Sequence, residues 1–296
     1  MQDKNSKHGY DILLIANFLY IQRFHINIET TDGKFEIPRS SKLILNGRDA
    51  KLLTTDYAFN SQHLVYSTSE IFTHQDVGSH DVIVVYAYEK EEGEFAIKVE
   101  GDKAHVETDD DSVKSEINDG ILQLTYTHPN GTTPVYISGG ADKDLLVLVA
   151  GYDSALRWWA PYIDEKKGER ALIHGPYLVR SAKKDESTIA FTGDIDETTD
   201  IQVVLPDGVE SITWNDEDVK LTKQDKHGIF TGTLEFKKPD ITFTDLTEAT
   251  WKYKSASPET DPEFDDSEWV TADHLSTNST TPHDTWPILY ADDYGK

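Results

Sequence analysis

Short hydrophobic runs, many of them alternating with polar residues, recur along most of the chain, and turn residues close each one. Alternation puts every second side chain on one face of an extended strand, so this rhythm predicts half-buried β-strands. Lys34–Ile37 alternates. Leu64–Thr68, Asp81–Tyr88, Glu94–Val99, Ile121–Thr127, Val135–Ser138 and Leu145–Gly151 follow as apolar or alternating runs. Between them stand Glu92-Gly93, Gly101-Asp102, Asp119-Gly120, Pro129-Asn130-Gly131 and Gly139-Gly140. Turns at roughly 8–12 residue spacing are the rhythm of an all-β sandwich. Lys42–Leu45 and Lys51–Phe59 flank Asn46-Gly47, whose tolerance of positive φ predicts a tight hairpin joining the two. The best helix signal is Asp153-Ser154 as a cap before Ala155–Trp159, stopped by Pro161. Without βαβ alternation, no parallel sheet is expected.

A second β-rich block opens at Gly175-Pro176. Its strands read Tyr177–Ser181, Ser187–Thr192, Thr199–Leu205, Val209–Trp214, Val219–Thr222 and Gly228–Phe236, which suits a small immunoglobulin-like sandwich. After Pro239 the composition changes. Residues 247–296 hold eleven acids against three lysines, four prolines, and Trp251, Trp269 and Trp286. Few aliphatic strands appear there, which reads as part of a domain. Near the other end, Ile12–Ile21 is too short to span a bilayer, which takes about 20 apolar residues. It lacks a small-x-small cleavage site and reads as a buried strand continuing into Tyr20–Glu29.

Composition narrows the function. The chain has 296 residues, a net charge of −26, 10% aromatic residues and no cysteine. So acidic a surface repels phosphate backbones and anionic lipid, which excludes nucleic acid and membranes as partners. No thiolate nucleophile, disulfide or thiolate metal site is available.

Candidate chemistry is sparse. The histidines show no HExxH or helical pairing, and no G-x-S-x-G elbow or phosphate loop occurs. Asp109-Asp110-Asp111, Asp194–Asp200 and Glu263–Glu268 are acid clusters without the glycine and terminal glutamate of an EF-hand, so they read as solvated loops. Trp158-Trp159, Trp251, Trp269 and Trp286 are candidates for stacking on sugar rings, although sandwich cores also consume tryptophan. No catalytic, cofactor-binding or metal-ligating residue is assigned, and no cofactor is expected.

Taken together, LILNGRDAKLLTTDY (Leu43–Tyr57), LVYSTSEIFT (Leu64–Thr73), WWAP (Trp158–Pro161), GPYLVRSA (Gly175–Ala182), WKYKSASPETDPEFDDSEWVTAD (Trp251–Asp273) and LYADDYG (Leu289–Gly295) resemble, in order, the fungal-type β-galactosidases of glycoside hydrolase family 35. The resemblance runs from about Asn17 onward. It implies an all-β chain: a large antiparallel β-sandwich resembling the family's second domain (1–174, with 1–16 unmatched), then a small β-sandwich resembling the third (175–246). Residues 247–296 correspond to an incomplete jelly-roll segment that starts the fourth. In the family the acid/base and nucleophile glutamates sit on a (β/α)₈ barrel, typically about 250 residues of alternating strand and helix. No such pattern lies in this chain, so no catalytic residue carries over.

The expected function is therefore a non-catalytic accessory region of a β-galactosidase, a truncated or degenerate copy. Two alternatives stand beside it: a subunit that complements a separate barrel chain to restore retaining galactoside hydrolysis, and a module that binds galactose-containing glycans. The resemblance implies an extracellular protein, while the sequence shows no signal peptide. Asn130-Gly131-Thr132 and Asn278-Ser279-Thr280 are glycosylation sequons.

Overall fold

Val82, Ile83, Val84 and Val85 are all fully buried, yet they face two different cores by turns. That two-sidedness organises the protein. In the computed structural model, residues 11–17, 22–46, 48–101, 103–223, 228–238 and 242–269 are described, in two compact units, Met1–Lys238 and Pro239–Lys296.

The larger unit begins with β1 (Asp11–Asn17), β2 (Gln22–Phe24), β3 (Ile26–Thr30), β4 (Gly33–Ile37) and β5 (Leu43–Leu45). Next come β6 (Asp49–Phe59), β7 (Gln62–Ser67), β8 (Glu70–Asp76), β9 (His80–Ala87) and β10 (Glu92–Lys98). They are followed by β11 (His105–Glu107), β12 (Lys114–Asn118), β13 (Ile121–Thr127), β14 (Thr132–Ser138) and β15 (Asp144–Gly151). A six-stranded sheet, β1-β6-β7-β10-β13-β12, faces a five-stranded sheet, β11-β14-β15-β9-β8. Phe95, Ile97, Leu122 and Leu124 of the first meet Ile83, Val85, Val147 and Val149 of the second to form the main core. On the outer face of the six-stranded sheet, β3-β4 and β2-β5 pack Ile28, Phe35, Ile37 and Leu43 over Leu53, Val65, Tyr66 and Ala96.

After the single turn α1 (Tyr152–Ala155), the second sandwich starts with β16 (Trp158–Trp159), β17 (Tyr162–Asp164), β18 (Glu169–Arg170) and β19 (Leu172–His174). It continues through β20 (Leu178–Asp185), β21 (Thr188–Asp194), β22 (Thr199–Val204) and β23 (Ser211–Trp214). It closes with β24 (Glu217–Val219), β25 (Thr222–Lys223) and β26 (Ile229–Leu234). Sheets β16-β19-β22-β26-β25 and β20-β21-β23-β24 enclose Ile173, Ile201 and Val203 against Ile189, Phe191 and Trp214. Between the sandwiches, Val82, Val84, Leu146 and Leu148 meet Trp158, Leu172, Val204 and Ile229. Strands β9 and β15 are thus covered on both faces, which is why they are continuous apolar runs.

Four features depart from the sequence-based expectation. Strands β9 and β15 are parallel, as are β21 and β23, within sheets whose other pairings are antiparallel. Burial on both faces suits such pairs without any intervening helix. The hairpin expected at Asn46-Gly47 does not join its neighbours: β5 pairs with β2, while β6 pairs with β1 and β7. Gly47 lies outside the described residues. Burial of Leu43 and Leu45 in the outer layer outweighs the local turn preference. The helix is displaced to Tyr152–Ala155, and Trp158-Trp159 pairs as a strand with Ile173 and His174. Finally, β1 forms at the edge of its sheet with Leu14 exposed and Leu13 and Ile15 half-buried, so it is not a buried strand; residues 18–21 lie outside the described residues.

In the smaller unit, residues 242–269 contain one 3₁₀ turn, Pro258–Thr260. There Trp251 Nε1 donates to the Leu246 carbonyl at 2.9 Å, and Phe264 packs on Trp269 with ring centroids 5.5 Å apart.

Candidate functional site

An open cleft of about 860 Å³ lies in the larger unit where β6 and β8 of the first sandwich approach β17, β18 and β20 of the second. Tyr57, His74, Asp76, Tyr162, Arg170 and Lys184 line it. Tyr57 Oη and His74 Nε2 are 2.7 Å apart, and burial pushes the His74 pKa down, so its ring is neutral near pH 7. The Arg170 guanidinium lies 3.8 Å above the Tyr162 ring and also donates to the Tyr162 hydroxyl. For Asp76, burial alone would raise the pKa; hydrogen bonds from Lys143, at 2.7 and 2.8 Å, and from the Gly78 amide bring it below the usual carboxylate range. A glycosidase acid needs the opposite shift. The cleft offers aromatic edges and ion-paired side chains, a surface suited to contact with polar groups.

Other titratable groups are buried inside the first sandwich. Ser69 Oγ lies 2.8 Å from His128 Nε2 and 2.9 Å from the Tyr126 hydroxyl, while His128 Nδ1 lies 2.7 Å from the Ala150 carbonyl. Nδ1–H donates to that carbonyl, so Nε2 accepts from Ser69. A serine beside a histidine can act as a nucleophile, but Ser69, Tyr126 and His128 are at most 3% exposed, so no substrate reaches them. Glu94, equally buried, accepts hydrogen bonds from the Arg39 and Ser40 amides at 2.8 and 2.7 Å and from the Tyr66 hydroxyl at 3.2 Å. Lys51 and Glu91 form a buried ion pair, with the lysine pushed down to about 8 by burial. These groups build the core.

One cluster lies at the rim of the outer layer. The β3-β4 turn carries Asp32, β6 carries Asp56, and β7 carries His63. His63 Nε2 is 3.0 Å from Asp56 Oδ1 and 3.2 Å from Asp32 Oδ2, and Lys98 of β10 pairs with the other Asp32 oxygen. Separations of 24 and 7 residues form no recognisable motif. Only the folding of the β3-β4 hairpin across β6 brings these side chains together.

The acid clusters singled out from sequence are engaged locally. Asp110 accepts from the Ser112 amide at 2.8 Å and from Thr133 Oγ1 at 3.1 Å. Asp194 pairs with Arg180, Asp196 with Arg157, and Asp200 accepts from Thr233. Asp265 closes a turn with the Ser267 amide. Among the tryptophans, Trp158 is core and Trp159 half-buried, its indole donating to the Pro176 carbonyl at 3.0 Å. Trp251 and Trp269 are 71% and 60% exposed, and Trp286 lies outside the described residues. Among the described residues, no helix is long and apolar enough to cross a membrane.

A family model described as beta-galactosidase, domain 2 matches residues 17–158, and one described as beta-galactosidase, domain 3 matches residues 159–231. The chain belongs to the β-galactosidase family. Its domain 2 match covers the first sandwich with its outer hairpins, and its domain 3 match starts at Trp159, on the strand that opens the second. The chain is 34% identical over 284 residues to probable beta-galactosidase B of Aspergillus fumigatus. It is 34% identical over 296 residues to that of Sclerotinia sclerotiorum and 32% identical over 286 residues to that of Aspergillus niger. Each alignment takes in 93% of this chain but only 27–28% of the relative, so the chain spans about a quarter of the length of the β-galactosidases it matches.

Proposed function

We propose that this chain is a non-catalytic accessory region of a β-galactosidase, which steadies a (β/α)₈ barrel domain and contributes no reacting group. The observation that carries this reading is the ordered match to domains 2 and 3, on sandwiches where Ser69 is buried against His128 and Lys51 against Glu91. The depressed Asp76 in the cleft fits it, since a general acid needs a raised pKa. We place the boundary between the two sandwiches near Trp158 rather than at residue 174, because Ile163, Ala171 and Ile173 enter the second core. Residues from about 247 onward are assigned to a jelly-roll fourth domain.

The test is a chimera in which this chain replaces the matching quarter of the Aspergillus fumigatus relative. A soluble chimera that hydrolyses a chromogenic β-galactoside supports the accessory reading and gives the barrel as the partner. A soluble chimera without activity, beside an active parent, argues against it.

A galactoside-binding reading draws on one observation, the exposed faces of Trp251, Tyr253 and Trp269. Such rings stack on sugars. Saturable quenching of tryptophan fluorescence by lactose, lost in Trp251→Ala, would favour it over simple support.

A further inference from the structure

We propose that Asp32, Asp56 and His63 form a binding site for one small divalent cation of the zinc type, independent of the accessory role. Their donor atoms all lie within 4.8 Å of one another, and three different elements supply them. A zinc-type ion with bonds of about 2.0–2.1 Å in tetrahedral geometry holds its ligand atoms roughly 3.3 Å apart. The 3.0 and 3.2 Å separations from His63 Nε2 to the two carboxylates match that spacing.

A second observation concerns direction. His63 Nε2 and Asp32 Oδ2 are both closed off from solvent, and neither makes a hydrogen bond, although they are 3.2 Å apart. Neither contact of the ring nitrogen, 3.2 Å to Asp32 Oδ2 or 3.0 Å to Asp56 Oδ1, has hydrogen-bond geometry. Buried polar atoms left this way are costly unless something else satisfies them, and a cation in the gap would serve both at once.

The surrounding contacts orient the ligands. Thr31 holds Asp56 twice, through its amide to Oδ2 at 3.2 Å and its hydroxyl to Oδ1 at 2.6 Å. Lys98 occupies the remaining Asp32 oxygen. Partners of this kind fix carboxylate rotamers around metals. Two aspartates and a neutral imidazole carry −2, of which Lys98 offsets one charge, so a divalent ion meets net attraction. The imidazole selects zinc-type ions over calcium, which takes six to eight oxygens. Three protein ligands would leave the fourth position of such an ion to a water.

The experiment uses the full chain, stripped with a chelator and titrated with Zn²⁺ by calorimetry, and with Co²⁺ by visible absorption. The expected result is one site per chain, a four-coordinate cobalt band, and an affinity at least about tenfold weaker in His63→Gln and Asp56→Asn. Thr31→Val should weaken binding by about tenfold through the orienting contact. Lys98→Ala should tighten it by roughly three- to tenfold by removing a competing charge. Because Thr31 and Lys98 are solvent-facing, those two variants decide the matter even if His63→Gln fails to fold. Absence of one-to-one uptake, or uptake indifferent to all four substitutions, would overturn the proposal and leave His63 as a contact between two aspartates.

Discussion

The indole of Trp158 donates a 3.1 Å hydrogen bond to Thr132 Oγ1, so a residue of the second sandwich is anchored to a strand of the first. Trp158 is 2% exposed and packs in the seam with Leu146, Leu148, Leu172 and Val204. Trp158→Ala should cost about 3–5 kcal/mol, because it opens a cavity shared by both sandwiches. Trp158→Phe should cost less, about 1–3 kcal/mol, since most of the ring is kept and Thr132 Oγ1, losing the indole, still has Ser154 Oγ at 3.0 Å. Urea unfolding followed by circular dichroism checks both, and an alanine variant as stable as the parent would mean that the seam carries little of the stability.

Stability should fall in mild acid. Burial holds His128 at about 4, well below the ordinary imidazole value of about 6.5, and pushes His74 and His174 down as well. Above pH 6.5 neither the folded nor the unfolded chain protonates His128, and its contribution is complete. Between pH 6.5 and 4 the unfolded chain takes up a proton that the folded one refuses. The loss reaches about 2 kcal/mol at pH 5 and about 3 kcal/mol near pH 4. Unfolding midpoints at pH 7 and pH 5 read this directly. A His128→Asn variant should show the smaller drop, and an equal drop in both proteins would assign the effect to other groups.

Lys51 and Glu91 test the interior electrostatics. Their side chains are only 8% and 9% exposed, so removing one partner strands the other's charge. Lys51→Met or Glu91→Leu alone should cost about 3–5 kcal/mol, while the double variant should recover most of that loss. Single and double variants compared in one unfolding cycle give the coupling, and strict additivity would show that the pair does not interact.

The strands themselves were legible because their pattern is local. Ile121–Thr127 is a strand with the bounds its alternation predicts, and Asp119-Gly120 turns into it with φ of 51° and 74°. Pairing was not legible, because it depends on which apolar face needs cover. Leu43 and Leu45 take β2 as partner over their nearest neighbour in sequence, and Val82–Val85 gives no sign that its two faces meet different sheets. Trp158 and Trp251 illustrate the same limit: both stand in recognisable motifs, yet one is core and the other exposed. Asp32, Asp56 and His63 escaped for a related reason. Each is an ordinary polar residue of a strand or turn, and only the crossing of the β3-β4 hairpin over β6 makes them a set.

The most direct test of the accessory role is a β-galactosidase assay of the purified chain alone. A retaining mechanism needs two carboxyl groups about 5–5.5 Å apart in a pocket, one of them with a raised pKa. Two of the three carboxylates lining the cleft are instead ion-paired, Asp76 with Lys143 and Glu169 with Lys184. The account predicts no hydrolysis of a chromogenic β-galactoside above a buffer blank. Turnover that follows the protein through purification and vanishes on Asp76→Asn or Glu169→Gln would contradict it.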